Sequence, residues 1–329
     1  MAHDVSVIIC AHTEKRLPHI RASIAAAHQQ TLPAREIIVV IDHNPNLLER
    51  VQDEIAEIVA IENRGEPGLS GGKNTGVAEA SGEIVAFVDD DGFIAPDWLE
   101  LLCAPLEDPD VLGVGGRVDP LWQAPRPIWF PEEFHWTVGC SYTGLPDVRS
   151  PVRNLAGGCM VVRRDVFDAI GGFRSDIGRI GTKPLGCEET EFCIRASQHW
   201  PRRKWIYEPT AVMRHVIPEP RTRWSYFRSR CFFEGVSKAR VTRFVGSQKG
   251  LAAERTYTLR TLPAGVARNL ASSVAQRDSG GLGRAAAIIG GLACTSAGYL
   301  YGRALLARDE RQQHAAPSPP PAIEKAVVS

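Results

Sequence analysis

Short apolar runs alternate with helical segments over the N-terminal third of the chain. The runs are rich in β-branched and aromatic residues, a pattern typical of strands buried on both faces. The segments between them carry apolar residues at helical spacing. The predicted elements are strands at Val5–Cys10, Glu36–Ile41, Ile58–Ile61 and Ile84–Val88, and helices at Leu17–Gln30, at Leu47–Ile58 and from near Lys73. This rhythm predicts a doubly wound, mostly parallel α/β sheet.

The pattern continues less regularly beyond Trp98. Pro120–Pro131 has no clear periodicity, and Leu155–Arg163 has the pattern of a strand whose glycines would let another group approach the backbone. Glu188–His199 is predicted to be a helix with acidic residues in its first turn, as the helix dipole favours. The other predicted elements are a helix at Trp98–Leu106, an apolar segment at Val111–Val118, a helix at Asp165–Ile170, a strand at Lys204–Met213 and a basic, aromatic helix at Arg223–Val245.

The end of the chain differs in composition from the rest. Ala285–Gly302 is a run of eighteen uncharged residues flanked by Arg284 and Arg303. It is short and rich in glycine and alanine for a bilayer span, which favours an interfacial or re-entrant helix and leaves a true span as the alternative. We therefore predict three parts: an α/β domain over residues 1–220, a basic and apolar helical extension over 221–308, and a disordered tail over 309–329.

Composition adds constraints on partners and compartment. The 329 residues are 44% hydrophobic and 23% charged, as in a globular protein with a sizeable core, and the formal net charge is zero. Residues 202–255 nevertheless carry thirteen Lys or Arg against four Glu, an excess that points to phosphates or an anionic membrane surface. The eight cysteines include no CxxC pair and the N-terminus has no signal-peptide pattern, so we expect reduced, mostly buried thiols in a cytosolic protein.

Three consecutive carboxylates, Asp89, Asp90 and Asp91, follow the apolar run Ile84–Val88. Adjacent acids repel one another unless a cation or hydrogen-bond donors compensate. A divalent ion is therefore the simplest explanation for their place at the end of a buried strand. A solvated turn is the alternative, because Asp-Gly is itself a turn dipeptide.

Polar residues also follow the other predicted strands. They are His12, Thr13 and Glu14 after the first strand, Asp42 after the second, and Arg64 and Gly65 after the third. Doubly wound sheets bind ligands in the crevice outside the carboxyl ends of their strands. We therefore expect these residues and the aspartates to line one ligand site.

A nucleoside diphosphate sugar would explain this set. Its diphosphate needs a hard cation, and Asp89 and Asp91 form a D-x-D pair whose oxygens suit Mg²⁺ or Mn²⁺. Asp42 is placed to accept a hydrogen bond from a base such as uracil, with a helix N-cap as the alternative. Lys73 is placed to meet phosphate, with a solvated helix start as the alternative. The predicted nucleotide-sugar site comprises Ala11, Thr13, Glu14, Asp42, Arg64, Gly72, Lys73, Asp89 and Asp90.

Several segments, in this order, resemble the family 2 glycosyltransferases, which have the GT-A fold. They are VSVIICAHTEKR, IIVVIDH, GLSGGKNTG, FVDDDGFIAPDWL, AGGCMVVRRDVFDAIGGF and GCEETEFCIR, and the resemblance spans Val5 to His215. It implies inverting transfer from a nucleoside diphosphate sugar, with the metal held mainly by Asp91 and with Asp89 near the ribose and the metal. It also makes His215 a candidate metal or phosphate ligand.

The resemblance places the catalytic base at the acidic helix start. The family's Glu-Asp pair matches Glu188 and Glu189, so a Glu stands where the base is usually an Asp. A Glu carboxylate can still deprotonate an attacking hydroxyl. The departure from the family pattern nevertheless leaves Glu188, Glu189 and Glu191 all as candidates.

Three segments carry a narrower resemblance, to glucuronosyltransferases that act on dolichyl-phosphate glucose. They are WTVGCSYTGLP, RNLAGGCMVVRRDVF and LGCEETE. Together with the basic stretch and Ala285–Gly302, this favours a polyprenyl- or other lipid-linked acceptor at the cytoplasmic face of the cell membrane. The donor is expected to be a UDP-sugar, in keeping with the position of Asp42. No nucleic-acid partner is expected.

Spacing argues against two other nucleotide-binding classes. GLSGGKNTG lacks the P-loop spacing, because position 67 is Pro and Asn74 replaces Ser or Thr, and no G-x-G-x-x-G follows the first strand. A non-catalytic, membrane-attached protein that binds a sugar or lipid on the same fold is the remaining alternative. Such a protein could have lost Asp91 or the glutamates, and this chain has both.

Overall fold

The computed structural model describes residues 4–177, 185–246 and 252–315. Nine strands of this part of the chain form one sheet. They are β1 (Val5–Ala11), β2 (Glu36–Ile41), β3 (Val59–Glu62), β4 (Ile84–Asp89), β5 (Gly92–Ile94), β6 (Val111–Trp122), β7 (Ser150–Val152), β8 (Cys159–Arg163) and β9 (Lys204–Ile217). The spatial order is β3-β2-β1-β4-β8-β6-β9-β5, and β7 pairs with β9.

The predicted α/β sheet is confirmed. Strands β1 to β4 pair in parallel, β8 runs antiparallel between β4 and β6, and β9 runs parallel to β6. Strands β1, β2 and β4 are apolar at almost every position, apart from Ser6 and the end residues Glu36 and Asp89, because both faces of the sheet are covered there. Along β1, Val7 and Ile9 pack into the core on one face, and Ile8 between them packs into the core on the other. The carboxyl ends of β1, β2 and β4 therefore meet at one edge.

Ten helices of the described residues surround the sheet or follow it. They are α1 (Leu17–His28), α2 (Pro45–Glu54), α3 (Leu69–Glu79), α4 (Trp98–Cys103), α5 (Arg164–Ile170), α6 (Glu188–His199), α7 (Trp224–Val245), α8 (Ala252–Thr256), α9 (Leu262–Ala275) and α10 (Gly281–Ala315). A π-helical stretch, Tyr257–Thr261, joins α8 to α9. The cysteines are all free thiols, and six of the eight are buried, as the sequence predicts.

Several boundaries differ from the sequence prediction. Helix α3 begins at Leu69, one turn before the predicted start near Lys73, so Lys73 lies inside the helix. Strand β9 continues to Ile217, so His215 lies within the strand and does not follow it. Strands β5 and β7 were not predicted, because three residues are too few to show a period of two.

The C-terminal helices pack closely because glycines line their contact. A Cβ atom on Gly298 of α10 would lie 1.9 Å from the carbonyl oxygen of Phe232 in α7, and one on Gly235 would lie 2.0 Å from the carbonyl oxygen of Thr295. The glycine content that made Ala285–Gly302 a poor bilayer span thus serves helix packing. No re-entrant turn interrupts this segment, since it lies inside the continuous helix α10.

Helix α10 is long and apolar enough over Gly281–Arg308 to cross a membrane, judged by length and composition alone. It also continues to Ala315, into the segment predicted to be a disordered tail. The rest of that predicted tail, residues 316–329, lies outside the described residues.

Candidate active site

A cavity of about 970 Å³ opens at the carboxyl edge of the sheet. Its floor comes from the ends of β1 and β4 and from the start of α3. Its far wall comes from α7, α8 and α10. Most of the residues predicted to bind a nucleotide sugar line this cavity: Ala11, Asp42, Gly72, Lys73, Asp89 and Asp90. The position agrees with the ligand crevice of doubly wound sheets.

Asp89, Asp91 and His215 form a cluster with the composition of a metal site. One ligand atom from each lies within 4.8 Å of the other two. Antiparallel pairing of β5 with β9 brings Gly92 opposite His215, which sets His215 Nε2 3.1 Å from Asp91 Oδ1. Two carboxylates and an imidazole suit Mn²⁺, and the carboxylates also suit Mg²⁺. The three metal ligands proposed from the sequence thus come together in the fold.

The pKa of Asp91 lies well below its ordinary value. Burial opposes ionisation, but the hydrogen bond and charge of His215 and the charge of Arg16 more than offset burial. Asp91 is therefore a carboxylate at neutral pH, as a ligand of a divalent cation must be.

Arg16 compensates part of the negative charge on the floor. Its Nη1 donates to Asp90 Oδ1 at 2.5 Å and lies 3.3 Å from Asp91 Oδ2. Burial and the neighbouring Asp91 charge still raise the pKa of Asp90 to about 7. The second oxygen of Asp90 has no hydrogen-bond partner among the described residues. Three carboxyl groups face one guanidinium here, which favours binding of a cation. Sequence reasoning assigned Arg16 no role, although it belongs to the motif quoted after the first strand.

Two glycines before β8 let functional groups approach the backbone. A Cβ atom on Gly158 would lie 2.1 Å from Asp89 Cγ, and one on Gly157 would lie 2.8 Å from Lys73 Nζ. The predicted close approach to this glycine-bearing segment is therefore made by the side chains of the site itself. Asp89 is held between its own strand end and this turn, where its amide also donates to the Gly158 carbonyl at 3.2 Å.

Asp42 is oriented by donors from two neighbouring segments. Asn63 Nδ2 donates to one of its oxygens at 2.7 Å, and the Gly68 amide donates to the other at 2.9 Å. The alternative of a cap on the following helix is wrong, because Asn44 caps α2 by accepting from the Leu47 amide at 3.1 Å. Burial opposes ionisation, but these donors and His43 hold the pKa of Asp42 below its ordinary value. Asp42 thus presents an ionised, fixed acceptor to the cavity.

Lys73 and the first glutamates of α6 form a buried group across the cavity. Lys73 Nζ lies 3.3 Å from Glu188 Oε1, and both side chains are almost fully buried. Lys73 is therefore not at a solvated helix start. Burial and the Glu188 charge raise the pKa of the adjacent Glu189 to about 8, although Lys73 lowers it in part. A carboxylate with a pKa near the working pH is suited to general-base catalysis.

Glu191 is engaged elsewhere. Its carboxylate accepts from Arg195 Nε at 2.9 Å, and Arg195 in turn donates to the Gly172 carbonyl at 2.8 Å. Glu191 does not line the cavity, whereas Glu188 and Glu189 do. The geometry therefore leaves the two adjacent glutamates as candidates for the base.

Three residues of the predicted nucleotide-sugar site do not line the cavity: Thr13, Glu14 and Arg64. Arg64 is largely exposed and lies 3.3 Å from Glu79. Glu14 lies in a separate shallow depression with Arg21 and Arg50. Their strand ends are close to the site, but their side chains are not part of it.

Comparison with known proteins decides the family. The glycosyl transferase family 2 model matches residues 6–171. The glucosyl-dolichyl phosphate glucuronosyltransferase of Haloferax volcanii is 35% identical over 241 residues, which cover 71% of this chain and 76% of that protein. The chain belongs to glycosyl transferase family 2. This family 2 glycosyltransferase is also similar to the succinoglycan biosynthesis protein ExoM of Rhizobium meliloti, at 23% identity over 72% of the chain and 74% of ExoM.

Solved structures agree on the fold of this family 2 glycosyltransferase. The mannosyltransferase PcManGT from Pyrobaculum calidifontis, in complex with GDP-Man and Mn²⁺, superposes with a TM-score of 0.58 and 19% identity, covering 93% of this chain and 87% of that one. GalNAc-T7 with UDP, GalNAc and Mn²⁺ superposes with a TM-score of 0.51 and 15% identity, covering 78% and 55%. The protein therefore has the GT-A fold, with a helical C-terminal part. The family and the curated relative support a transferase and not the non-catalytic alternative.

Proposed function

We propose that this protein is a metal-dependent, inverting glycosyltransferase that moves a sugar from a UDP-sugar to a polyprenyl- or other lipid-linked acceptor. The observation that carries the proposal is the shared cavity. It joins the Asp89, Asp91 and His215 cluster on one side to Glu188 and Glu189 on the other. A donor diphosphate and an acceptor hydroxyl need these two kinds of group in one site.

The residues divide the reaction between them. Asp89, Asp91 and His215 would hold a Mn²⁺ or Mg²⁺ ion, which would neutralise the diphosphate and the charge that develops as it departs. The Asp42 carboxylate accepts a hydrogen bond from the nucleobase of the donor. Glu189 takes the proton of the acceptor hydroxyl, whose oxygen forms the new bond to the anomeric carbon. The bond from that carbon to the phosphate oxygen breaks, and the nucleoside diphosphate leaves. Attack opposite the leaving group in one step inverts the configuration.

The donor is tested by binding. Thermal shift of the full chain would be measured with UDP- and GDP-sugars, each with Mn²⁺, Mg²⁺ or EDTA. We expect metal-dependent stabilisation by UDP-sugars, since Asp42 is fixed as a hydrogen-bond acceptor for a base such as uracil. Stabilisation by GDP-sugars alone would reject UDP as the donor nucleotide, but the proposed transferase activity would stand. No stabilisation of folded protein by either class would reject the proposed site.

Association with the membrane is proposed from the exposed face of α10. Leu282, Ile289 and Leu300 are 64%, 60% and 68% exposed, and their spacing places them on one face of the helix. Ile289 lies nine residues from Gly298, about half a turn round the helix, so this face points away from α7. Val274 of α9 is 84% exposed as well. Exposed apolar side chains beside a basic segment favour an anionic membrane surface as partner.

Vesicle flotation tests this proposal. We expect the wild type to float with vesicles of anionic phospholipid, and Leu282→Ser/Ile289→Ser to remain in the soluble fraction. Val59→Ser/Val148→Ser, the same kind of exchange at two exposed apolar residues outside α9 and α10, is the control. Equal flotation of wild type and the apolar-face variant would reject this face as the contact with lipid.

A further inference from the structure

Five charged side chains form a cluster in the wall that the helical extension adds to the cavity. Arg230, Glu234 and Lys238 lie one turn apart on α7, Glu254 lies on α8, and Arg153 follows β7; we call these residues the basic wall. The exposure of each side chain is 12% to 20%. All five line the cavity.

Ion pairs connect the basic wall. Glu234 lies 2.8 Å from Arg230 and 3.2 Å from Lys238. Glu254 lies 2.6 Å from Lys238 and 2.5 Å from Arg153. Each carboxylate thus has two cationic neighbours. If one cationic partner were removed, each carboxylate would still have a second cationic partner.

The basic wall carries one positive charge in excess, with three cations against two carboxylates. Cys187, whose Sγ lies 3.3 Å from Glu234 Oε1, does not offset this excess. Burial raises the pKa of its thiol well above the ordinary value, so the thiol is neutral. A partly buried excess charge is unfavourable unless an anion compensates it. The wall is therefore complementary to an anionic group such as a phosphate in the cavity.

The basic wall lies beside the catalytic glutamates. A Cβ atom on Gly186 would lie 3.3 Å from Arg230 Nη2, and Cys187 contacts Glu234. The next two residues are Glu188 and Glu189. An anion bound here lies on the base side of the reaction, near the place from which the acceptor hydroxyl attacks.

The cavity also extends to α10, where the lining includes the small polar residues Thr295 and Ser296 and three larger side chains. Leu292, Tyr299 and Leu300 line this part. Leu300 also belongs to the exposed apolar face proposed to contact lipid. A molecule with an anionic group at the basic wall and a hydrocarbon chain at α10 would fill both parts.

We propose that the basic wall binds the phosphate of a lipid-phosphate-linked acceptor and that the hydrocarbon chain leaves the cavity along Leu292, Tyr299 and Leu300. This deepens the proposed function and rests on it. The donor diphosphate is the other anion that the wall could bind. It is the less favoured one, because the divalent cation that Asp89, Asp91 and His215 would hold would provide its counter-charge.

The test uses the full chain in detergent and measures binding without turnover. The probes are farnesyl phosphate, farnesol, and UDP with Mn²⁺. Arg230→Gln removes the excess charge while Lys238 still pairs with Glu234, and Arg230→Lys keeps the charge. Arg228→Gln is the matched control: the same exchange in the same helix, at an exposed position that does not line the cavity.

We expect Arg230→Gln to weaken farnesyl phosphate binding at least ~10-fold, which corresponds to about 1.4 kcal/mol. Farnesol and UDP binding should stay unchanged, and Arg230→Lys and Arg228→Gln should bind all three probes like the wild type. If Arg230→Gln is unstable, Lys238→Gln provides the same charge change, because Arg230 still pairs with Glu234 and Arg153 with Glu254.

Three results would overturn the proposal. Equal affinity of the wild type for farnesyl phosphate and farnesol would mean that the basic wall does not bind the phosphate. Weaker UDP binding with unchanged farnesyl phosphate binding would make the wall a donor subsite. Lower stability of both Gln variants with unchanged affinities would make it a structural ion network. UDP binding by the wild type tests the donor site separately, so a failed proposed function would be recognised as such.

Discussion

Replacement of Glu189 by Gln removes the proposed base and keeps its shape. A general base contributes on the order of 10² to 10⁴ in rate, so we expect kcat to fall by at least ~10². Glu189 is not a member of the Asp89, Asp91 and His215 cluster, so metal-dependent binding of the donor should be retained. The assay is the initial rate of nucleoside diphosphate release with a lipid-linked sugar acceptor, with thermal shift as the measure of donor binding.

The pH profile gives a second, independent readout of the same group. With a pKa of about 8, Glu189 is ionised to about a tenth at pH 7 and about nine tenths at pH 9. A base must be ionised to accept a proton, so kcat/KM should rise severalfold with pH over this interval. The Glu188 charge raises the Glu189 pKa by repulsion. Glu188→Gln removes the repulsion, so the rise should move to lower pH.

Glu191→Gln is the matched control in the same helix. Its partner is Arg195, so we expect lower stability and an unchanged pH profile. The reasoning is refuted if Glu189→Gln keeps more than about a tenth of the wild-type kcat. A rise that moves to higher pH in Glu188→Gln would equally refute the assigned repulsion.

Three further predictions concern the metal, the turn beside it and the helix contact. Asp91→Asn should abolish stabilisation by Mn²⁺, which for the wild type is about 2.7 kcal/mol at a hundredfold excess over Kd, measured by thermal shift. Gly158→Ala should lower kcat/KM on the order of 10²-fold, measured by initial rates. The reason is that the new Cβ would lie 2.1 Å from Asp89 Cγ and would force the Asp89 carboxylate to move. Gly298→Ala should destabilise the protein by roughly 1 to 3 kcal/mol, because its Cβ meets the Phe232 carbonyl, measured by urea unfolding.

Controls separate these effects from general damage. Asp97→Asn changes an exposed carboxylate outside the cavity and should keep the response to Mn²⁺. Gly290→Ala places its Cβ at an ordinary 3.5 Å from Trp224 and should be tolerated. A Gly158→Ala protein with full activity would show that Asp89 can move without cost. A Gly298→Ala protein of wild-type stability would show that α7 and α10 can move apart without loss of stability.

The central part of the fold could be predicted from the sequence because its signals are local. Continuous β-branched runs identify strands buried on both faces, and β1 and β4 follow those runs closely. Parallel pairing then places everything that follows these strands at one edge. Asp42 and Asp89 could be assigned to the site on this ground alone.

The remaining parts of the site depend on tertiary pairing that no local pattern shows. His215 reaches Asp91 only because a three-residue strand pairs with β9. Arg16 and Asn63 act through side chains that meet acids from other segments. Thr13 and Arg64 illustrate the converse, since they follow the correct strands but do not line the cavity. The position of a residue after a strand predicts proximity to the site, not the direction of its side chain.

The two walls of the cavity have separate origins in the chain. The metal cluster and Asp42 come from residues before Pro218, and most of the basic wall comes from helices after it. Evolution, or an engineer, could therefore vary acceptor choice by exchanging one contiguous C-terminal block. A chimaera with α7 to α10 from a relative should keep its nucleotide preference and adopt the relative's acceptor. The proposed acceptor site would then lie largely in one exchangeable segment of the chain, separate from the proposed donor site.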